Sequence, residues 1–222
     1  MTLMKKGAEA NLYLEDFSEV LHLAGAGKVV VKHRISKRYR VPQLDLQLRE
    51  SRTALEAKLF ADAKAAGVPT PAVYEVDRVG MRLVMEFIDG KQVKLILNKL
   101  TPARRIKLCH LIGKQIARLH KAGIVHGDLT TSNMILTPQG KVFFVDFGLG
   151  EYSPSLEARG VDLHLLKRAL QSTHFKVVDE AYRAVLTGYR REFGKNAGEV
   201  IERAEEIERR GRYIAKEERA WH

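Results

Sequence analysis

The sequence has little that could form covalent crosslinks, a zinc site or a membrane anchor. Its only cysteine, Cys109, lies in the apolar helical pattern IKLCHLIGKQIARLH, so the chain cannot form an internal disulfide and we expect a buried thiol. The eight histidines show neither HExxH nor paired ligand spacing, which argues against zinc. No apolar run approaches membrane-spanning length, and the basic start MTLMKK is followed by the polar GAEANLYLED rather than by a signal-peptide core. We therefore expect a cytoplasmic protein with no membrane partner.

Internal repeats and low-complexity linkers are also absent. The 222 residues are enough for one substantial core or for two small lobes that share a cleft. The net charge of +11 indicates an anionic partner without identifying it. A nucleotide, tRNA and an acidic protein all remain compatible.

The hydrophobic pattern predicts a small antiparallel sheet with one long helix, followed by a mainly helical half. The predicted strands are 18–24, 28–33, 72–77 and 81–87, and leucines recur at helical spacing through LDLQLRESRTALEAKLFADAKAAG. After Gly90 we predict a helix at 103–122 with an apolar stripe, a hairpin at 134–137 and 141–145, and a helical tail over 161–219. This predicts an α+β fold with an N-terminal lobe at 1–86 and a C-terminal lobe at 87–222.

The candidate chemistry lies in the stretch HGDLTTSN, residues 126–133, and in the Asp-Phe-Gly that follows the apolar run VFFV. Phosphoryl transfer from a magnesium nucleotide needs oxygen ligands for the metal and a carboxylate that orients the attacking hydroxyl or water. In the pattern D-x-x-x-x-N followed by D-F-G, Asp128 would be the base, and Asn133 and Asp146 would be the metal ligands. The alternative is a polar turn that matches by chance.

Phosphoryl transfer also needs a lysine on the phosphates that is paired with a glutamate. Lys32 at the end of KVVVK and Glu56 within RTALEA are the candidates, although each could be an ordinary solvated charge. The pattern G-x-G-x-x-G is missing ahead of Lys32. Its place is taken by Gly7, Ala8, Glu9 and Ala10, whose small side chains would still let a backbone approach phosphates.

The motifs, taken in order, resemble those of one kinase family over essentially the whole chain. They are KHRISKRYRVPQLD, RTALEA, GVPTPAVYEVD, IVHGDLTTSN, VDFGL, GVDLHLLKRAL, QSTH and RRGR. With them the chain resembles the small atypical serine/threonine protein kinase of the KEOPS (EKC) complex, the PRPK family. The resemblance implies a minimal two-lobed, protein-kinase-like fold that forms one kinase-like domain overall.

The resemblance also implies an activity and a set of site residues. ATP and Mg²⁺ would be used, and the complex would make the threonylcarbamoyl modification of adenosine in tRNAs that read ANN codons. Lys32 would hold the phosphates with Glu56 as its partner, residues 7–10 would cover ATP, and Glu86, Phe87 and Ile88 would contact adenine. Expected partners are the tRNA-modifying threonylcarbamoyltransferase subunit, other KEOPS subunits and tRNA. Autophosphorylation and ATP hydrolysis are both expected.

Two competing interpretations stay open at this stage. Aminoglycoside and choline kinases share the HGD…N run, but their second carboxylate usually has an Ile-Asp-Trp context and their C-terminal lobes are larger. The other interpretation is a tRNA-binding scaffold with a vestigial cleft. RIO kinases resemble the chain as well, but they lack TTSN and the QSTH to RGR tail.

Several positions bear on regulation and on partners. Gly127 stands where regulated protein kinases have an arginine, so control by loop phosphorylation is not expected. We expect Asp162 to hold backbone donors of the catalytic loop or to cap its own helix. Ser153 and Ser155 are either phosphate acceptors or turn residues.

Two basic segments are candidates for contact with tRNA or a partner. Residues 32–40, KHRISKRYR, are dense in cations, although such a loop could also be simply solvated. In the tail, the resemblance assigns tRNA and partner contact to Arg210, Gly211 and Arg212. Tyr213 and Ala158 depart from the family pattern, which leaves the details of both regions open.

Overall fold

A five-stranded antiparallel sheet lies within the first 86 residues. The structure is a computed structural model that describes the backbone of residues 2–220 and the side chains of residues 2–210. The strand order is β1-β2-β3-β5-β4, with each neighbouring pair antiparallel. The strands are β1 Thr2–Lys6, β2 Ala10–Asp16, β3 Lys28–Arg34, β4 Val73–Asp77 and β5 Arg82–Glu86.

The predicted strand at 18–24 is wrong. Residues Phe17–Leu21 form a short helix, α1, which ends at His22 in the left-handed region with φ 53°. Phe17, Val20 and Leu21 pack on the outer face of the sheet. Their spacing of three and four residues places them on one face of a helix, whereas a strand would alternate at every second residue. The hairpin partner of β3 is instead β2, which begins at the residue where the 7–10 loop ends.

The long helix is confirmed as α2, Pro42–Ala65. Its C-terminal part buries apolar side chains such as Leu59 and Phe60, but its N-terminal part buries the polar side chains of Asp45, Thr53 and Glu56. Leu44, one of the leucines that suggested an apolar stripe, is half exposed. From Leu59 onward the helix therefore faces the hydrophobic core, and before Leu59 its buried side chains lie in a polar interior.

The remaining residues are mainly helical, as predicted. The helix at 103–122 is confirmed as α4, and its predicted stripe of Leu108, Ile112, Ile116 and Leu119 is buried. The elements are β6 Lys91–Gln92, α3 Val93–Ile96, a 3-10 turn Leu97–Lys99, α4 Pro102–Lys121, β7 Ile124–Val125, a 3-10 turn Thr131–Asn133, β8 Met134–Leu136, β9 Val142–Phe144, β10 Glu151–Tyr152, α5 Leu156–Thr173, α6 Val178–Phe193 and α7 Ala197–Ala220.

Helices α4 and α6 pack closely because each has a glycine at the contact. A Cβ at Gly113 would lie 1.9 Å from the carbonyl oxygen of Val185, and one at Gly188 would lie 2.0 Å from that of His110. Any larger residue at either position would separate the two helices.

One hydrophobic core joins the sheet, α2 and the helical part. It runs from Leu83 of β5 through Leu59 and Phe60 to Phe147 and Ile116. The α+β kinase-like fold is thus confirmed, while the division into lobes at 1–86 and 87–222 stays a prediction. Within residues 2–220, none of the helices has the length and apolar character needed to cross a membrane.

Candidate active site

A cleft between the sheet and the helical part consists of two adjoining cavities. Lys5, Leu12, Lys32 and Asp146 line both cavities. The first cavity has mainly apolar walls and includes the whole predicted adenine-contacting segment. Its lining includes Val30, Pro71, Met85, Glu86, Phe87, Ile88, Asn133 and Ile135.

The second cavity is more polar and includes all of residues 7–10, the segment predicted to cover ATP, which we call the lid. Its lining includes Gly7, Ala8, Glu9, Ala10, Arg34, Asp128 and Gly148. Residues 7–10 connect β1 to β2, and the N–H of Gly7 donates to the carbonyl oxygen of Ala10 at 3.0 Å. A Cβ at Gly7 would lie 2.6 Å from that oxygen, so this tight turn requires glycine. The cavity predicted to take adenine and the cavity predicted to take the phosphates thus lie side by side.

Lys32 connects the sheet to both sides of the cleft. Its Nζ lies 2.7 Å from Glu56 Oε1 on α2 and 2.7 Å from Asp146 Oδ1 after β9. Burial lowers the pKa of the Lys32 ammonium, but these two carboxylates raise it more, so that the pKa lies above its ordinary value. Lys32 therefore stays charged in this buried position.

Asp146 adopts a backbone conformation that is unusual for a residue with a side chain, with φ 75°. The next residue, Phe147, is buried and packs edge-on against Phe60 at 5.2 Å and on His126 at 4.6 Å between ring centroids. Burial raises the pKa of the Asp146 carboxyl, but Lys32 and the N–H of Gly148 lower it more, to below its ordinary value. The anchored Phe147 thus leaves an ionised carboxylate facing the cleft.

The spacing of Asp128 and Asn133 follows from the turn between them. Residues Thr131–Asn133 form a 3-10 turn that brings the Asn133 side chain back to Asp128. Asn133 Nδ2 donates to Asp128 Oδ2 at 2.9 Å and to the Asp128 carbonyl oxygen at 3.1 Å. Because the nitrogen is engaged with Asp128, the side-chain oxygen of Asn133 is the atom left for another ligand.

The prediction that Asp162 holds the loop around Asp128 is confirmed. Its buried carboxylate accepts from the N–H groups of His126 at 2.7 Å and Gly127 at 2.8 Å, and contacts His120 Nε2 at 3.2 Å. The alternative, a cap of its own helix, is wrong because Ser155 caps α5 through the N–H of Ala158. Asp162 therefore positions the loop from a separate helix.

The backbone at Gly127 explains why glycine precedes Asp128. Its φ is 76°, and a Cβ there would lie 2.1 Å from the carbonyl oxygen of Leu149. An arginine cannot occupy this position without moving the backbone beside Asp128.

Sequence reasoning missed the role of Arg34 by grouping it with the basic segment 32–40. The Arg34 side chain is buried in the cleft wall, and its Nη2 lies 2.6 Å from Glu56 Oε2. The signal that could have found it is strand alternation, because residues 32 and 34 of β3 point to the same face.

Other cations of the basic segment are also engaged within the molecule. Arg40 pairs with Glu9 at 3.2 Å and with Asp45 at 3.5 Å. The Nζ of Lys37 donates to the carbonyl oxygen of Ala8. Much of the charge that suggested a nucleic-acid surface therefore fastens the lid and the loop before α2.

In the tail, Arg210 is exposed and pairs with Glu157 at 2.9 Å. Gly211 and Arg212, and the departing Tyr213, lie outside the residues whose side chains the structure describes. The tail's contact with tRNA or a partner stays a prediction.

Comparison with known proteins identifies the family. The family model described as RIO domain matches residues 28–149, more than half of the chain. The chain is 53% identical over 222 residues to the KEOPS complex subunit Bud32 of Pyrococcus abyssi, and the match covers 100% of this chain and 99% of that protein.

Two further relatives are similar over most of this chain. A probable serine/threonine-protein kinase BUD32 homolog of Archaeoglobus fulgidus is 43% identical over 188 residues, which cover 85% of this chain and 90% of that protein. A probable bifunctional tRNA threonylcarbamoyladenosine biosynthesis protein of Methanobrevibacter smithii is 42% identical over 212 residues, which cover 95% of this chain but only 36% of that protein. The chain therefore spans about a third of such bifunctional relatives. As the order of its motifs predicts, the chain belongs to the Bud32 family of atypical serine/threonine protein kinases, which carry a RIO domain.

Proposed function

We propose that the protein is an ATP-dependent phosphotransferase and ATPase that acts on serine or threonine hydroxyls or on water. The observation that carries the proposal is the convergence of Lys32, Glu56 and Asp146 beside the Asp128–Asn133 pair in one cleft. These are the groups that phosphoryl transfer requires, and they come from four separate segments of the chain. A vestigial cleft would have no need to keep all of these groups together.

In the proposed reaction, Asp128 accepts the proton of the attacking hydroxyl or water. That oxygen then bonds to the terminal phosphorus of ATP while the bond to the ADP oxygen breaks. Lys32 holds the phosphates, and Glu56 keeps the ammonium in place at 2.7 Å. The apolar cavity takes the adenine, with Glu86, Phe87 and Ile88 at its edge, between the proposed lobes 1–86 and 87–222.

The residues present fit Mg²⁺. Asp146 and Asn133 both line the adenine-side cavity, and each has a hard oxygen available, because Asn133 uses its nitrogen on Asp128. Magnesium is commonly bound by one or two protein oxygens, with phosphates and water completing its ligands. When bound, it would neutralise charge on the phosphates. We propose ATP as the nucleotide and Mg²⁺ as its metal.

We further propose that this activity supports threonylcarbamoyl modification of tRNA adenosine. The support is the names of the relatives, which include a KEOPS complex subunit and bifunctional tRNA threonylcarbamoyladenosine biosynthesis proteins. Expected partners are the modifying subunit, other KEOPS subunits and tRNA, which would place the protein in the cytoplasm. The net charge of +11 agrees with an anionic partner.

The substitution Asp128→Ala tests the chemical part of the proposal. Loss of a general base lowers turnover by about 10²–10⁴-fold, so phosphate release and autophosphorylation should fall by at least roughly a hundredfold. Binding of magnesium ATP, measured by isothermal titration, should persist because Lys32 and the apolar cavity are unchanged. The exposed Asp179→Ala serves as the matched control. Unchanged turnover in Asp128→Ala would refute the assignment.

The biological part requires a second measurement. ATP turnover is compared for the protein alone, with tRNA, and with tRNA and the modifying subunit. Stimulation by these partners is expected if hydrolysis serves tRNA modification. If neither tRNA nor the modifying subunit changed the ATP turnover, this result would contradict that role and leave only the kinase activity.

A further inference from the structure

Arg34 lies at the end of the cleft where the proposed base is found. Lys32 lines both cavities, whereas Arg34 lines only the polar one, together with Asp128 and Gly148. Residues 32 and 34 share one face of β3, and two strand residues advance by about 6.5 Å. Arg34 therefore extends the row of cations from Lys32 away from the adenine end.

The lid covers this position. In the pairing of β2 with β3, Lys32 is opposite Leu12, and Arg34 is opposite Ala10 at the end of the lid. A nucleotide whose adenine occupies the apolar cavity would direct its phosphates along β3 beneath residues 7–10. Arg34 then faces the outer phosphate, because the base that acts there, Asp128, lines the same cavity.

The two cations and Asp146 converge at Gly148. A Cβ built on Gly148 would lie 3.0 Å from Asp146 Oδ1, 3.2 Å from Lys32 Nζ and 3.3 Å from Arg34 Nη2. Since one point is that close to all three atoms, no two of them can be more than about 7 Å apart, a separation that neighbouring phosphate groups can bridge. Glycine at 148 keeps this space free of a side chain.

The charges of the cleft also favour a further cation at its polar end. The carboxylates of Glu56, Asp128 and Asp146 surround this region, and a nucleotide would add further negative charge. Lys32, the Lys5 that lines both cavities and the proposed Mg²⁺ offset part of this charge, and Arg34 adds a buried cation at the polar end of the cleft. One Arg34 nitrogen is used on Glu56, and a guanidinium has five N–H donors, so Arg34 can bind Glu56 and a phosphate oxygen together.

We propose that Arg34 is a second phosphate-binding residue, which contacts the terminal phosphate of ATP while Glu56 holds it in place. This inference rests on the proposed function, since it names a further contact at the same site. The simpler role for Arg34 is to orient Glu56 and nothing more. The two roles differ in the nucleotide that they affect, because ADP lacks the terminal phosphate.

The test compares affinities for magnesium ADP and for the magnesium complex of the β,γ-imido analogue of ATP, which is not hydrolysed. Isothermal titration is run on the full chain and on Arg34→Gln, Arg34→Lys and Arg82→Gln. A charge-assisted hydrogen bond contributes about 1.5–3 kcal/mol. Arg34→Gln should therefore lower the affinity for the ATP analogue roughly ten- to hundredfold and the affinity for ADP by less than about threefold. Arg82, an exposed arginine on β5 paired with Asp77, is the matched control and should change neither affinity.

Arg34→Lys keeps a buried cation beside Glu56 and covers the case in which Arg34→Gln does not fold. We expect its preference for the ATP analogue over ADP to fall about three- to tenfold, because one ammonium lacks the planar fork that reaches two anions. An unchanged preference in the folded variants, or an equal loss for both nucleotides, would overturn the inference alone. If the unsubstituted protein bound neither nucleotide, the proposed function itself would fail.

Discussion

Replacing Asp162 by alanine should damage both the stability of the fold and the catalytic loop. The Asp162 carboxylate is fully buried on α5 and accepts from the backbone N–H groups of His126 and Gly127. It also contacts the ring of His120, which in turn contacts the Tyr189 hydroxyl at 2.9 Å. Alanine removes the acceptor for all of these groups at once.

The magnitude follows from the number of donors left without a partner. A buried donor without an acceptor costs about 1–3 kcal/mol, and three such donors would cost about 3–9 kcal/mol. Removing a buried charge and admitting a water molecule into the space offset part of this. We therefore expect a loss of about 3–5 kcal/mol in the free energy of unfolding, a large share of the 5–15 kcal/mol that is typical of proteins.

Urea denaturation followed by circular dichroism measures this loss. With a slope of about 2–3 kcal/mol per molar, the midpoint should fall by about 1–2 M. Asp162→Asn keeps one acceptor oxygen, so its midpoint should lie between those of the unsubstituted protein and Asp162→Ala. The exposed Asp179→Ala should change the free energy of unfolding by less than about 1 kcal/mol. Below the melting temperature of the variant, turnover should fall more than ATP affinity, because the loop that carries Asp128 loses its anchor. A loss below about 1 kcal/mol, or full turnover in the folded variant, would refute the reasoning.

Two further predictions concern Gly127 and Cys109. Gly127→Ala should lower the free energy of unfolding by about 3 kcal/mol and reduce turnover, since it combines the left-handed penalty of about 1–2 kcal/mol with a clash against Leu149. Gly140→Ala has a similar φ of 79° and open space around its Cβ, so it should show the dihedral penalty alone; equal effects in denaturation would contradict the role of the clash. Burial raises the pKa of the Cys109 thiol to about 12, so a thiol reagent at pH 8 should modify it only in denaturant. Rapid modification of the native protein would show that the helix α4 interface is open.

The sequence alone predicted those features whose signal is local. The apolar stripe of α4 and the hairpin after Asn133 follow from periodicity and turn residues. The candidate base and metal ligands were found because Asp128, Asn133 and Asp146 lie within 19 consecutive residues. Local signal failed at 18–24, because a short apolar stretch fits both the strand period and the helix period. Packing on the sheet then selects the helix α1.

Only the tertiary structure decided how distant charges are paired. Lys32 is 24 positions from Glu56 and 114 from Asp146, yet its ammonium contacts both. Arg34 and Arg40, which in sequence belong to a basic patch, turn inward because buried carboxylates on α2 and the partly exposed Glu9 of the lid attract them. A buried charge requires a partner, but the partner can come from any segment that the fold brings near, so no local pattern marks it. The sequence thus determined which groups are available for phosphoryl transfer, and the packing of α2, α5 and the sheet determined which of them meet.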